Sequence, residues 1–180
     1  KHVVRMETRP PNNEGAGEIT PRTLVRNSLR MRPDRIVIGE VRGAEALDML
    51  QAMNTGHEGS LTTIHSNDSR DALQRLELMV AMSGFELPIP VVRQYIGSGI
   101  SLIVHLARLK GGVRRVMQVS EIVGINDNGF HIEDIFGFEQ TGVDELGVAQ
   151  GEFYFTGYRP MCLARLRAAG LRLPDEIFDK

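Results

Sequence analysis

The chain contains no tryptophan, one cysteine and only three lysines among its 180 residues. A single cysteine, Cys162, allows neither an internal disulfide nor a cysteine-based metal site, and it fits a reducing compartment. No apolar run approaches the length of about 18 residues that a membrane-spanning helix requires. The formal net charge is −2, so the composition gives no indication of a nucleic-acid-binding protein.

The basic residues are concentrated near the start of the chain, and most of them are arginines. Residues 1–43 hold nine lysines and arginines against five acidic residues, whereas the rest of the chain is net acidic. Eighteen of the 21 basic residues are arginines. Arginine is suited to planar, bidentate contact with phosphate and carboxylate groups, although a GC-rich coding sequence produces the same skew.

The first hundred residues predict alternating strands and helices, which is typical of an α/β fold with a mainly parallel sheet. Strands are predicted at about 2–10, 35–41 and 59–65. Helices are predicted from a Thr20 cap to about residue 31 and at 44–54, 69–84 and 90–97. The second strand, "RIVIG", has apolar or glycine residues in succession, which predicts a fully buried strand.

After Gly99 the pattern changes to strands joined by tight turns. The runs "SLIVHLARL", "VRRVMQVSEIVGI" and "FHIEDIFGFEQ" are linked by glycine-containing turns at 110–112 and 126–129, which predicts antiparallel hairpins. Residues 141–152 read as a loop, and a last helix is predicted at about 159–169. We therefore expect a main domain at 1–140 and a loop with a C-terminal helical tail at 141–180.

Two of the predicted strands end in ionisable residues, because Glu40 follows "RIVIG" and His65 follows "SLTTI". Ligands of open α/β sheets bind beyond the carboxyl ends of the strands. If these strands are neighbours, the carboxylate and the imidazole face one crevice, with the hydroxyls of Thr62, Thr63 and Ser66 nearby. This pair suits general base catalysis, water positioning or indirect Mg²⁺ coordination.

A stripe of arginines precedes these residues. Arg22, Arg26 and Arg30 are spaced by four in the predicted helix and so share one face, and Arg42 follows Glu40 by two residues. Arginines, an acid, a histidine and hydroxyls on an α/β sheet indicate phosphoryl chemistry.

Structural interpretations of the same residues stay open. Glu40 could cap the helix that follows it, His65 could be a satisfied structural histidine, and the arginine stripe could be a solvated face. A metal site built from His57, Glu58 and His65 fits no standard zinc spacing.

The chain has no phosphate-binding loop of the form G-x-x-x-x-G-K-[ST]. None of its three lysines, Lys1, Lys110 and Lys180, follows a glycine. The chain also begins at Lys1 without an initiator methionine, in what reads as a strand. We therefore expect a piece of a longer protein.

Three stretches resemble a known family. "VVRMETRPPNNEGAGEIT", "RPDRIVIGEVRG" followed by "TGHEGSLTTIHSN", and the terminal "TGYRP…LARLRAAGLRLP" resemble the type II/IV secretion and pilus-assembly ATPases. The resemblance covers about residues 1–178 and is greatest to the CpaF branch, which drives Tad-type (type IVc) pili. It implies a RecA-like P-loop NTPase core, partial in this chain, followed by the hairpin strands and the C-terminal helix.

The resemblance also implies the nature of the site. Glu40 matches the atypical Walker B acid, which holds Mg²⁺ through water, and His65 matches the histidine of the His box near the γ-phosphate of ATP. Candidates for phosphate or subunit-interface contacts are Arg26, Arg30, Arg42, Arg5, Arg9, Gly39 and Thr63. The family forms homo-hexamers at the cytoplasmic face of the bacterial inner membrane, where they contact a platform protein and are peripheral only through such partners.

Two elements of the family pattern lie upstream of this chain, namely Walker A and the acidic box that supplies the general base. We therefore expect a motor ATPase for pilus assembly or secretion whose C-terminal portion, taken alone, is inactive. The alternative is a non-catalytic RecA-like interaction module that docks onto complete subunits or onto a membrane platform protein.

Overall fold

A computed structural model describes residues 2–178 and has a mixed α/β fold. Its helices are α1 (Pro21–Arg30), α2 (Glu45–Asn54), α3 (Ser69–Ala81), α4 (Ile89–Gly99) and α5 (Cys162–Ala168). Its strands are β1 (Val37–Ile38), β2 (Leu61–Thr62), β3 (Leu102–Arg108), β4 (Arg114–Asn126), β5 (Gly129–Val143) and β6 (Ala149–Phe155). The chain divides into two compact units. The first unit comprises residues 2–65 and 74–99, and the second comprises residues 66–73 and 100–178.

The helices of the first unit lie close to their predicted positions. The hydroxyl of Thr20 accepts a hydrogen bond of 3.2 Å from the backbone N–H of Thr23, and Pro21 occupies the first helical position, so the predicted cap of α1 is confirmed. Helix α2 packs against α1 and α4. The core of this unit contains Leu50 of α2 and Ile96 of α4, both fully buried.

The predicted strand at residues 2–10 is wrong. Its residues are exposed, and its one β-type contact is an isolated antiparallel bridge between Arg9 and Ile19. An extended segment becomes a strand only when a neighbour takes up its backbone hydrogen bonds. No strand of the part of the chain that the structure describes lies beside residues 2–8.

The sheet predicted to be mainly parallel within the first hundred residues is parallel but small. Within the described residues it consists of β1 and β2, each two residues long. The prediction that the first strand is fully buried is wrong, since Val37 is 72% exposed. Its register partner Leu61 is also exposed, because no other described element covers this face of the two-stranded sheet.

The second unit contains a four-stranded antiparallel sheet in the order β3-β4-β5-β6. The two hairpins that join β3 to β5 confirm the prediction. The loop predicted at 141–152 is wrong, because it contains most of β6, and the boundary predicted at 140/141 falls inside β5. Gly151 lies within β6, opposite Gln140 in the ladder, where a Cβ atom would collide with the carbonyl of Glu139. A residue typical of loops is therefore required in a strand.

The segment after β6 is fixed to the sheet by the buried carboxylate of Glu121, which lies on β4. This carboxylate accepts hydrogen bonds from the Tyr158 hydroxyl at 2.8 Å, from the Met161 N–H at 2.8 Å and from the Cys162 N–H at 3.1 Å. Burial, the hydrogen bond and the charge of Glu121 raise the pKa of Tyr158 to about 12. Burial, and then the same charge, raises the pKa of the Cys162 thiol.

Candidate functional site

The ends of β1 and β2 are held side by side by backbone hydrogen bonds. The strands pair in parallel, with Val37 beside Leu61 and Ile38 beside Thr62. The pairing continues past the last strand residues, because the N–H of Val41 donates a bond of 3.0 Å to the carbonyl of Thr63. The carboxyl ends of both strands therefore lie at one edge, as expected if these strands are neighbours.

Glu40 and His65 meet at this edge. The Nε2 atom of His65 lies 3.3 Å from the Oε2 atom of Glu40, and an Nη atom of Arg42 lies 2.8 Å from Oε1. The side chain of Glu40 is 37% exposed and that of His65 is 79% exposed, so both are accessible to a solute. We call Glu40, Arg42 and His65 the strand-end cluster. It contains an acceptor that can orient water, an imidazole ring and a guanidinium group.

Among the described residues, no side chain caps the helix that follows Glu40. The N-cap residue of α2 is Ala44, which has no side-chain cap hydrogen bond. The Oε1 atom of Glu45 accepts the backbone N–H of Arg42 at 2.7 Å and that of Gly43 at 3.2 Å, in the turn before α2 begins. The helix-cap interpretation of Glu40 is therefore wrong.

Thr63 and Gly39 lie in the strand-end backbone. The hydroxyl of Thr63 donates a hydrogen bond of 2.6 Å to the carbonyl of Gly39 and so joins the two strand ends. No atom lies within 4 Å of the position that a Cβ atom on Gly39 would take, so the backbone there is open to a ligand. The hydroxyl of Thr62 donates a hydrogen bond of 3.4 Å to the carbonyl of Thr63.

The arginine stripe is partly committed to a buried acid. The carboxylate of Asp48 on α2 accepts the Nε–H of Arg22 through one oxygen and that of Arg26 through the other, each at 2.7 Å. We call this arrangement the Asp48 clamp. Sequence reasoning missed Asp48, although a carboxylate among the apolar residues of "ALDMLQAM" requires a partner.

The structure does not bring the remaining candidate arginines into the strand-end cluster. The side chain of Arg9 donates a hydrogen bond of 2.8 Å to the carbonyl of Gly17, which closes the turn-rich loop between them. Within the described residues, Arg5 and Arg30 are exposed and contact no acid. Their predicted roles at phosphate or at a subunit boundary stay predictions.

The residues present fit one water-mediated contact to Mg²⁺ but no complete metal site. Across residues 2–178, no group of three or more histidine, cysteine or acidic side chains converges on a point that could hold an ion. Mg²⁺ keeps several waters in phosphate-binding enzymes and takes one or two carboxylates, with the substrate's phosphates as further ligands. The half-exposed carboxylate of Glu40 suits that single role.

Comparison with known proteins identifies the family to which the chain belongs. The family model described as "Type II/IV secretion system protein" matches residues 1–138, and the chain belongs to this family. A putative conjugal transfer protein of Mycobacterium tuberculosis is 43% identical over 119 residues, which are 66% of this chain and 33% of that protein. The conjugal transfer protein TrbB of Rhizobium radiobacter is 42% identical over 117 residues, which are 65% of this chain and 35% of that protein.

A solved structure is also similar. It is the crystal structure of the VirB11 ATPase from the Brucella suis type IV secretion system in complex with sulphate, at 34% sequence identity and a TM-score of 0.51. The match covers 54% of this chain and 32% of that one. The chain thus spans about a third of the length of each of these relatives. None of the helices described in residues 2–178 has the length and apolarity needed to cross a bilayer.

Proposed function

We propose that this chain is part of a motor ATPase that powers pilus assembly or protein secretion, with the strand-end cluster at its hydrolytic site. The observation that carries the proposal is the contact of 3.3 Å between Glu40 and His65 at the ends of two adjacent parallel strands. Membership of the type II/IV secretion family supports the same conclusion. The substrate in this proposal is ATP, and the reaction is hydrolysis of its terminal phosphoanhydride bond.

Each residue of the cluster has a distinct role in the proposal. Glu40 would hold Mg²⁺ through water, and the ion, when bound, would supply positive charge that offsets the charge of the phosphates. His65 donates a hydrogen bond to an oxygen of the terminal phosphoryl group, and Glu40 fixes the orientation of its ring. Arg42 leaves Glu40 as the nucleotide arrives, because its guanidinium binds phosphate oxygens in a bidentate manner.

In the proposal the phosphate-binding loop belongs to a part of the polypeptide outside these 180 residues, which contain no G-x-x-x-x-G-K-[ST] sequence. Coverage of about a third of its relatives is consistent with a RecA-like core that extends beyond these residues. In the proposal the complete protein forms a homo-hexamer at the cytoplasmic face of the inner membrane and contacts a platform protein there. The Tad-type pilus of the CpaF branch is the system we propose for it.

The test uses the complete polypeptide with Glu40→Gln and His65→Ala, each against the wild type. Both substitutions are expected to lower kcat for ATP hydrolysis by about 10²-fold or more, with nucleotide affinity nearly unchanged, because these groups act in the transition state. The exposed Glu86 of the first unit provides a charge-matched control, and Glu86→Gln should leave kcat unchanged. Wild-type kcat in both site variants would contradict the assignment.

A non-catalytic interaction module is a second candidate, and the absence of a phosphate-binding loop from these residues favours it. The coding DNA upstream of Lys1 separates the two. A G-x-x-x-x-G-K-[ST] sequence within some tens of codons supports the motor. A start codon without such a motif supports the module.

A further inference from the structure

The C-terminal segment of the second unit encloses a cavity of about 350 Å³. Its apolar lining comes from the leucines of α5 and of the segment after it: Leu163, Leu166, Leu171 and Leu173. Three arginines also line it, Arg159, Arg167 and Arg172, against one acid, Asp175. We call this the tail pocket. An apolar lining with an excess of guanidinium groups suits an occupant that has an apolar side chain beside a carboxylate.

The tail pocket is anchored to the sheet and does not depend on its occupant for its shape. The ring of Phe178, which lines it, stacks on Phe136 at a centroid distance of 5.9 Å and meets Phe155 edge-on at 5.4 Å. The guanidinium of Arg159 lies over the same ring at 5.2 Å. Within residues 2–178, Arg167 and Arg172 form no ion pair that neutralises them.

An occupant of this chemistry exists elsewhere in the same chain. The turn between β5 and β6 carries Leu146, which at 88% has the largest exposed fraction among the large apolar residues of the part described. Its neighbour Glu145 is exposed and forms no hydrogen bond or ion pair there. We call these two residues the turn knob.

The turn knob is held rigidly by Asp144. One carboxylate oxygen of Asp144 accepts the N–H of Leu146 at 3.0 Å and that of Val148 at 2.8 Å, while the other accepts the side-chain amide of Gln150 at 3.0 Å. Gly147 takes a φ of +75°, which closes the turn. A preformed apolar tip loses little conformational entropy when it binds.

A chain cannot place its own turn knob in its own tail pocket. The turn lies at one end of β6, and Phe155, which contacts the Phe178 lining, lies at the other end. Seven strand residues separate these ends by about 20 Å. The occupant that fits the pocket must therefore come from another molecule.

We propose that the turn knob of one copy of this chain docks into the tail pocket of a second copy. Leu146 enters the leucine lining, and Glu145 pairs with the arginines of the pocket. Because different surfaces meet, the contact is heterologous and passes from copy to copy, as in a ring or a filament. The contact involves residues of the second unit alone and does not depend on nucleotide hydrolysis.

Sedimentation velocity of this 180-residue chain over a wide concentration range provides the first measurement. Wild type is expected to self-associate, and Leu146→Asp is expected to weaken association by about tenfold or more. The matched control is Leu106→Asp, since Leu106 is a leucine on β3 that is 59% exposed and far from the turn in sequence. Arg167→Glu should weaken association as Leu146→Asp does.

Mixing the two defective variants identifies the heterologous geometry. Leu146→Asp keeps its tail pocket, and Arg167→Glu keeps its turn knob, so each variant associates only weakly by itself, whereas their mixture forms a one-to-one complex. Circular dichroism spectra equal to wild type check that both variants fold. Association of Leu146→Asp at wild-type strength, or a mixture that stays monomeric, would overturn the proposal while leaving assembly through other surfaces possible.

Cross-linking captures the contact even when it is weak. With Cys162→Ser as background, Leu146→Cys on one copy and Leu171→Cys on the other should form a disulfide-linked dimer. Leu106→Cys paired with Leu171→Cys should not. Equal cross-linking of the two pairs, or none of either, contradicts the docking.

Discussion

Thr63 is hydrogen-bonded to both neighbours of Glu40, although its own side chain does not touch that carboxylate. Its hydroxyl donates to the carbonyl of Gly39 at 2.6 Å, and its carbonyl accepts the N–H of Val41 at 3.0 Å. Val41 is buried and fixes this segment to the core of the first unit. The backbone on either side of Glu40 is thereby tied to β2, two residues before His65.

The hydrogen bond from the Thr63 hydroxyl to the Gly39 carbonyl predicts a modest loss of stability when the hydroxyl is removed. Thr63→Val keeps the volume and branching of the side chain but leaves the Gly39 carbonyl without its donor, so we expect a loss of about 0.5–1 kcal/mol in the free energy of unfolding. Thr63→Ser keeps the hydroxyl and should lose less. Urea unfolding of the three proteins measures the difference. Equal stability of Thr63→Val and wild type would show that the bond contributes nothing.

The 180-residue chain alone is expected to hydrolyse ATP no faster than background. It contains Glu40 and His65, but no Lys-containing glycine loop to hold the phosphates. Positioning accounts for most of the catalysis in phosphoryl transfer, so an acid and an imidazole without a held phosphate accomplish little. A phosphate-release assay with and without Mg²⁺ measures this. Mg²⁺-dependent turnover that Glu40→Gln abolishes would contradict the expectation.

The strand-end cluster could be predicted because its cause is local and topological. The parallel order of two strands follows from a strand-helix-strand pattern, and parallel strands put their carboxyl ends at one edge. The residues that follow those ends, Glu40 and His65, therefore had to lie close together if the strands paired. The cap of α1 was predictable for a similar reason, since Thr20 and Pro21 act on the backbone next to them.

Features that depend on a distant partner could not be predicted in the same way. Residues 2–10 have the composition of a strand, but composition does not say whether another strand lies beside them. The Asp48 clamp joins a helix to arginines more than twenty residues away, and periodicity identified the arginine stripe without its acid. The need for glycine at position 151 of β6 comes from the Glu139 carbonyl of β5, which only the pairing of the two strands brings near.

The Asp48 clamp predicts that Asp48→Asn lowers the free energy of unfolding more than Arg26→Ala does. Asp48→Asn removes the charge from a buried acceptor of two guanidinium hydrogen bonds and should cost about 1–3 kcal/mol. Arg26→Ala should cost less, about 0–1 kcal/mol, because the Arg26 side chain is mostly exposed and its pairing is screened by solvent. Denaturant unfolding at low and high salt measures both losses. A larger loss for Arg26→Ala than for Asp48→Asn would contradict the clamp.

The contact between Tyr158 and Glu121 predicts how stability changes at alkaline pH. The pKa of Tyr158 is raised from 10.0 to about 12 by burial, by the hydrogen bond to Glu121 and by the charge of that carboxylate. The folded chain therefore holds this proton more tightly than the unfolded chain does. The resulting stabilisation is complete below pH 10 and is lost as the pH rises through about 12.

Unfolding midpoints in urea should fall across this interval for wild type and fall less for Tyr158→Phe, which has no proton to lose. Tyr154→Phe, a control at an exposed position on β6, should keep the wild-type slope. Parallel curves for wild type and Tyr158→Phe would show that the phenol proton does not contribute to the attachment of the C-terminal segment.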